Sequence, residues 1–107
     1  VAPLNVTIKT PPLSSDLSMR ITVLDEDWYQ ENEDVVYASK VISPIGNLTF
    51  PTTIPLTSVK ADSKCRVMVS VSQRVGNKDS ILYTGLTKIK VEGGKNNNCT
   101  VELHRVQ

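Results

Sequence analysis

The stretch Cys65–Gln73 constrains this chain more than any other. Cys65, Val67, Val69 and Val71 recur at period two, while Arg66, Ser70, Ser72 and Arg74 occupy alternate positions. Successive side chains of a strand point to opposite faces, so this alternation predicts a strand with one dry and one wet face. At the usual rise it reaches about 30 Å, enough to cross a small domain. The rest of the chain must pair with this strand or cover its valine side.

Similar alternation recurs on both sides of it. Leu4, Val6 and Ile8 alternate with Asn5, Thr7 and Lys9 in a first strand, which Pro11-Pro12 must end or push to an edge. Leu17–Leu24 is a second strand with Leu17, Met19, Ile21 and Val23 inward, and Val35–Ile42 a third. Leu48, Phe50 and Ile54 mark a fourth, which Pro51 and Pro55 place at a sheet edge or make irregular. Leu56–Lys60 fits one helical turn. Gly76-Asn77-Lys78-Asp79 folds the fifth strand back into a sixth, Ile81–Val91, in which Gly85 is the natural place for a face-switching bulge. Thr100–Val106 is a seventh. Regularly spaced strands without a long helical-period window predict an all-β fold, a two-sheet β-sandwich of about seven strands forming one domain over residues 1–107.

A chain of 107 residues can bury one substantial core. Its formal net charge of +1 supplies no global field toward nucleic acid or anionic lipid. No apolar run approaches the roughly 20 residues of a membrane helix. The opening at Val1 has neither the basic nor the apolar region of a signal peptide. A mature secreted chain, a trimmed chain and a cytosolic protein would all begin this way.

Cys65 and Cys99 read as one disulfide stapling the sandwich, the alternative being two unrelated buried thiols. Each opens a predicted strand after a polar turn, which puts both at the same end of the sandwich. A bond needs Cα atoms roughly 4.4–6.8 Å apart, whereas strands separated by one neighbour lie about twice 4.8 Å apart. The bond would therefore require the last strand to leave its predecessor's sheet. It would contribute roughly 3–4 kcal/mol and argue for an oxidising compartment.

Reactive constellations are scarce. The acids from Asp25 to Asp34 lack the glycine of a calcium loop and read as a solvated connection, with Trp28 or Tyr29 folded back over the core. His104, the single histidine, has no ligand-spaced companion and reads as a surface residue. No nucleophile elbow or phosphate loop occurs, and Lys88 and Lys90 lack the interleaved aromatics of a nucleic-acid platform. The expectation is a non-enzyme with no catalytic residues, no metal, no cofactor, no nucleic-acid partner and no small-molecule substrate.

Pro12-Leu13-Ser14-Ser15-Asp16-Leu17 leading into Met19–Asp25 resembles the opening of the YscW/YbaY-like lipoprotein domain. Gly46–Pro51 with Ile54-Pro55-Leu56 is similar to that family's proline-punctuated fourth strand. The long fifth strand, Gly76 and Ile81-Leu82-Tyr83-Thr84 resemble its central hairpin. The likeness spans Leu4 to Val91, and its motifs are loose alternations. Within the family the lysine-, asparagine- and serine-rich character and the cysteine pair look most like the pilotin of a type III secretion system.

That resemblance implies a lipoprotein on the periplasmic face of the bacterial outer membrane. It would bind the C-terminal segment of the secretin, protect it, carry it to the membrane and promote ring assembly. The family's lipidated N-terminal cysteine has no counterpart in this sequence, so the membrane anchor is an expectation from the family alone. The task calls for a dry patch able to hold a short amphipathic segment. Candidates for partner binding are Leu24, Met68, Leu82 and Leu86 in outward frames, with Trp28 and Tyr29 at the rim. Each has an ordinary reading as satellite core. Met68 is the most informative, because Arg66 and Ser70 point the same way and methionine adapts to varied surfaces. Two other classes compete: a structural transthyretin-like or immunoglobulin-like envelope module, and a hydrolase inhibitor presenting Pro44-Ile45-Gly46 on a rigid loop.

Overall fold

The structure, a computed structural model, describes residues 2–25 and 36–106. These residues form strands and connections only, in two sheets. The elements are β1 (Ala2–Lys9), β2 (Ser18–Asp25), β3 (Val36–Ile42), β4 (Thr52–Val59), β5 (Ser63–Val75), β6 (Lys78–Val91), β7 (Asn97–Glu102) and β8 (His104–Arg105). One sheet has the order β4-β1-β7 and the other β3-β2-β5-β6-β8.

β5 is the central strand of the larger sheet, antiparallel to β2 on one side and β6 on the other. Its Cys65, Val67, Val69 and Val71 are buried, as the alternation requires. Facing them in the core are Leu4, Val6 and Ile8 of β1, with Met19, Ile21 and Val23 from β2 beside them. Burying each such aliphatic side chain contributes about 1.5–3 kcal/mol, so this double layer is the main source of stability.

β1 is antiparallel to β4 but parallel to β7, pairing Val6 with Cys99 and Ile8 with Val101. The immunoglobulin arrangement joins the first strand to the second; among the described residues β1 pairs with the fourth and seventh.

The C-terminal segment expected as one strand is two. After Glu102 the chain crosses between sheets at Leu103, whose amide donates to the Lys9 carbonyl at 2.8 Å. Residues 104 and 105 then join β6 opposite Thr84 and Tyr83. Gly85 permits this crossing: a Cβ there would lie 2.5 Å from the Glu102 carbonyl oxygen and 2.7 Å from Val101 Cγ1. The bulge itself falls at Leu82, since Val71 pairs with Tyr83 and Ser72 with Ile81.

Two further expectations are corrected. Leu56–Val59 is strand rather than a helical turn, because pairing with β1 carries Ile54, Leu56 and Val59 to the core. Pro55 is tolerated since β4 is an edge strand. Cys65 and Cys99 are free thiols, not a disulfide. β7, which carries Cys99, does lie outside the sheet of β6, pairing with β1 in the facing sheet, while β8 returns to β6.

Candidate functional site

The outer surfaces of the two sheets differ in chemistry. That of the three-stranded sheet is a polar lattice: Thr7 and Thr53 share a hydroxyl–hydroxyl bond of 2.9 Å, and Asn5 Nδ2 donates to Asn98 Oδ1 at 3.2 Å. The five-stranded sheet instead carries exposed apolar residues. Among the described residues eight large hydrophobics are exposed. Five of them, Val36, Val41, Met68, Ile81 and Leu86, fall in the outward frame of this sheet by its register.

Met68 and Leu86 are direct cross-strand partners, 43% and 52% exposed. Thr22 lies opposite Met68 on the other side. Both residues of this pair lie on the outward side of the sheet. Leu24 also lies in the outward frame, opposite Arg66 and Val36, but is buried and separate from the core cluster. Leu82 is not outward: the bulge turns it to pack against the core, while Ile81 takes the outward place. Trp28 and Tyr29 lie outside the described residues.

Val36, Val41 and Ile81 were not among the sequence candidates. The face of Val36 and Val41 depends on the register with β2, and that of Ile81 on the bulge. A flanking glycine hinted at an irregularity in β6, three residues away from where it occurs.

Next to Met68 the same surface sinks into an open concavity of about 610 Å³. Its floor is low because Ser18, Ser70 and Ser72 occupy the outward positions of β2 and β5. Arg20 and Arg74 stand up from that floor. One wall is held in place by backbone bonds from Ile45 to Leu17 (2.8 Å) and from Gly46 to Ser15 (2.9 Å), and by a 2.7 Å bond between the Ser18 and Ser43 hydroxyls. Because Ile45 is buried in this wall, the Pro44–Gly46 turn does not present a free inhibitory loop.

No group of three or more metal-ligating side chains occurs among the described residues. His104 is exposed on β8. Burial pushes the Cys99 thiol up from 9.0 to about 11, which suppresses the thiolate and makes it a poor nucleophile at neutral pH.

An all-β two-sheet sandwich with one partly apolar outer face defines the class to which this chain belongs. Comparison with protein-family models, curated proteins and solved structures finds no match in any of the three.

Proposed function

We propose that this protein is a pilotin-type binding module, gripping the C-terminal segment of an outer-membrane secretin and promoting its targeting, stability and assembly. The observation that carries the reading is the gathering of Met68, Leu86, Val41, Val36 and Ile81 on one outer sheet face, opposite a face of threonine and asparagine. Exposed apolar side chains collected on one sheet face, with Met68 and Leu86 directly paired, are what an interaction surface offers. Methionine beside leucine suits a segment that folds as it binds. The choice of secretin, the lipid anchor and the periplasmic location rest on the family resemblance.

Calorimetry and circular dichroism with a synthetic C-terminal peptide of the same organism's secretin test the reading. It expects saturable binding with helix gain in the peptide, and the absence of both would overturn it. The alternative is a structural module of transthyretin-like type, favoured over the immunoglobulin form by a first strand that pairs with the fourth and seventh. Such a module would bind no tail peptide.

A further inference from the structure

The concavity beside Met68 is a second feature of the same face; it shares Val41 and Ile81 with the exposed apolar set and adds hydroxyl and charged groups. Ser70 is the next outward residue after Met68 along β5, about 7 Å away at the strand rise. A segment running along β5 over Met68 therefore reaches the concavity. Its volume of about 610 Å³ falls within the range of ligand sites, roughly 300–1,000 Å³.

The lining specifies what fits. Among the described residues neither Arg20 nor Arg74 belongs to an ion pair. Arg74 has Asp79 opposite it across the hairpin, so Arg20, opposite Ser70 and Val41, is the guanidinium with no acid across from it. Guanidinium groups bind carboxylates through paired charge-assisted hydrogen bonds. Exposed Val41 and Ile81 line opposite sides and offer contact to an aliphatic side chain. Asp16 and Asp79 in the lining disfavour a multiply charged phosphate but accept from N–H donors. The serine hydroxyls also suit a peptide backbone better than a hydrocarbon chain.

We propose that this concavity captures the free carboxyl end of the partner's polypeptide, with Arg20 holding the terminal carboxylate and Val41 and Ile81 flanking its last apolar side chain. This rests on the partner reading above and adds to it a requirement for an unmodified chain end.

The test compares the secretin C-terminal peptide as free acid and as C-terminal amide, with the wild-type protein and with the Arg20→Gln and Met68→Glu variants. The amide changes only the peptide, so its result does not depend on how a variant folds. The inference expects the free acid to bind about tenfold or more tightly than the amide. It also expects Arg20→Gln to abolish that difference while its thermal midpoint stays at the wild-type value, and the preference to shrink in high salt. Equal binding of acid and amide, with both weakened by Met68→Glu, overturns the carboxylate site and leaves the partner reading standing. Binding of neither peptide overturns both.

Discussion

Met68 and Leu86 face each other across the β5–β6 ladder on the outward side, in a sheet whose other side is the driest part of the molecule. Side chains directly opposite in an antiparallel pair interact by roughly 0.2–1 kcal/mol. So small a contribution to stability separates folding from recognition at this pair. Met68→Glu and Leu86→Glu should each change unfolding free energy by no more than about 0.5 kcal/mol. Both should abolish or strongly weaken binding of the tail peptide. Denaturant unfolding and calorimetry on the same samples check both halves. Leu24→Ala should behave differently: Leu24 is buried, and its truncation should cost about 2 kcal/mol or more.

Gly85→Ala should be destabilising although the change adds only a methyl group. That methyl meets the Glu102 carbonyl oxygen and the Val101 side chain, so β7 must shift where it crosses between sheets. Overpacking of this kind costs about 1–3 kcal/mol. A fall of several degrees in the thermal midpoint is expected, at about 4–8 °C per kcal/mol for a domain of this size. An unchanged midpoint would show that the crossing yields easily.

Asn97 is the buried polar residue of the structure's described part, and it ties the C-terminal turn to the first strand. Its Nδ2 donates toward the carbonyls of Pro3 (3.0 Å), Glu92 (3.1 Å) and Lys95 (3.2 Å), and its Oδ1 accepts from the Glu92 amide (2.9 Å). Asn97→Ala strands these groups, each at about 1–3 kcal/mol if left dry. Loss of more than about 2 kcal/mol is expected in denaturant unfolding. Amide exchange should accelerate first at Glu92, whose N–H loses its acceptor.

The thiols give two checks. Under denaturing conditions without reductant, two thiols per chain should react with a chromogenic disulfide reagent, since both cysteines are free. Oxidation to one bond would give none. In the native protein Cys99 should react slowly near pH 8, because burial holds its pKa at about 11.

That shift also has a thermodynamic sign. The folded pKa of Cys99 lies above its unfolded value, so the protonated thiol is the form that folding favours. The corresponding stability is fully present below pH 9.0 and is lost as pH rises toward about 11. Wild type should lose more stability across this window than Cys99→Ser, with lysine and tyrosine titration common to both. Parallel curves would contradict the assignment.

Much of this fold is legible from period-two patterning, because a strand with one buried face must alternate. Leu4, Val6 and Ile8, and Val67, Val69 and Val71 of β5, are where the pattern puts them. Legibility ends where the outcome depends on pairing. Whether Leu56 continues a strand is decided by β1, and whether Cys99 meets Cys65 by the sheet that β7 chooses. For the candidate site, Met68 and Leu86 could be read from frame alone, since β5 is long and regular. Leu82 and Ile81 exchange roles because one extra residue in β6 inverts every frame beyond it. Arg20 and the serines around it carry no motif; only the twist and register of three strands gather them.

The side-by-side placement of β1 and β7 has a consequence for how the molecule comes into being. Asn5 and Asn98, which touch across this pairing, are 93 positions apart. A nascent chain emerging from the ribosome can zip the hairpin of β5 and β6 early, since those contacts are local. The smaller sheet is complete only once β7 has been synthesised. Until then one margin of β1 stays open to any other extended chain, so the interval before β7 emerges is one in which this protein is exposed to aggregation.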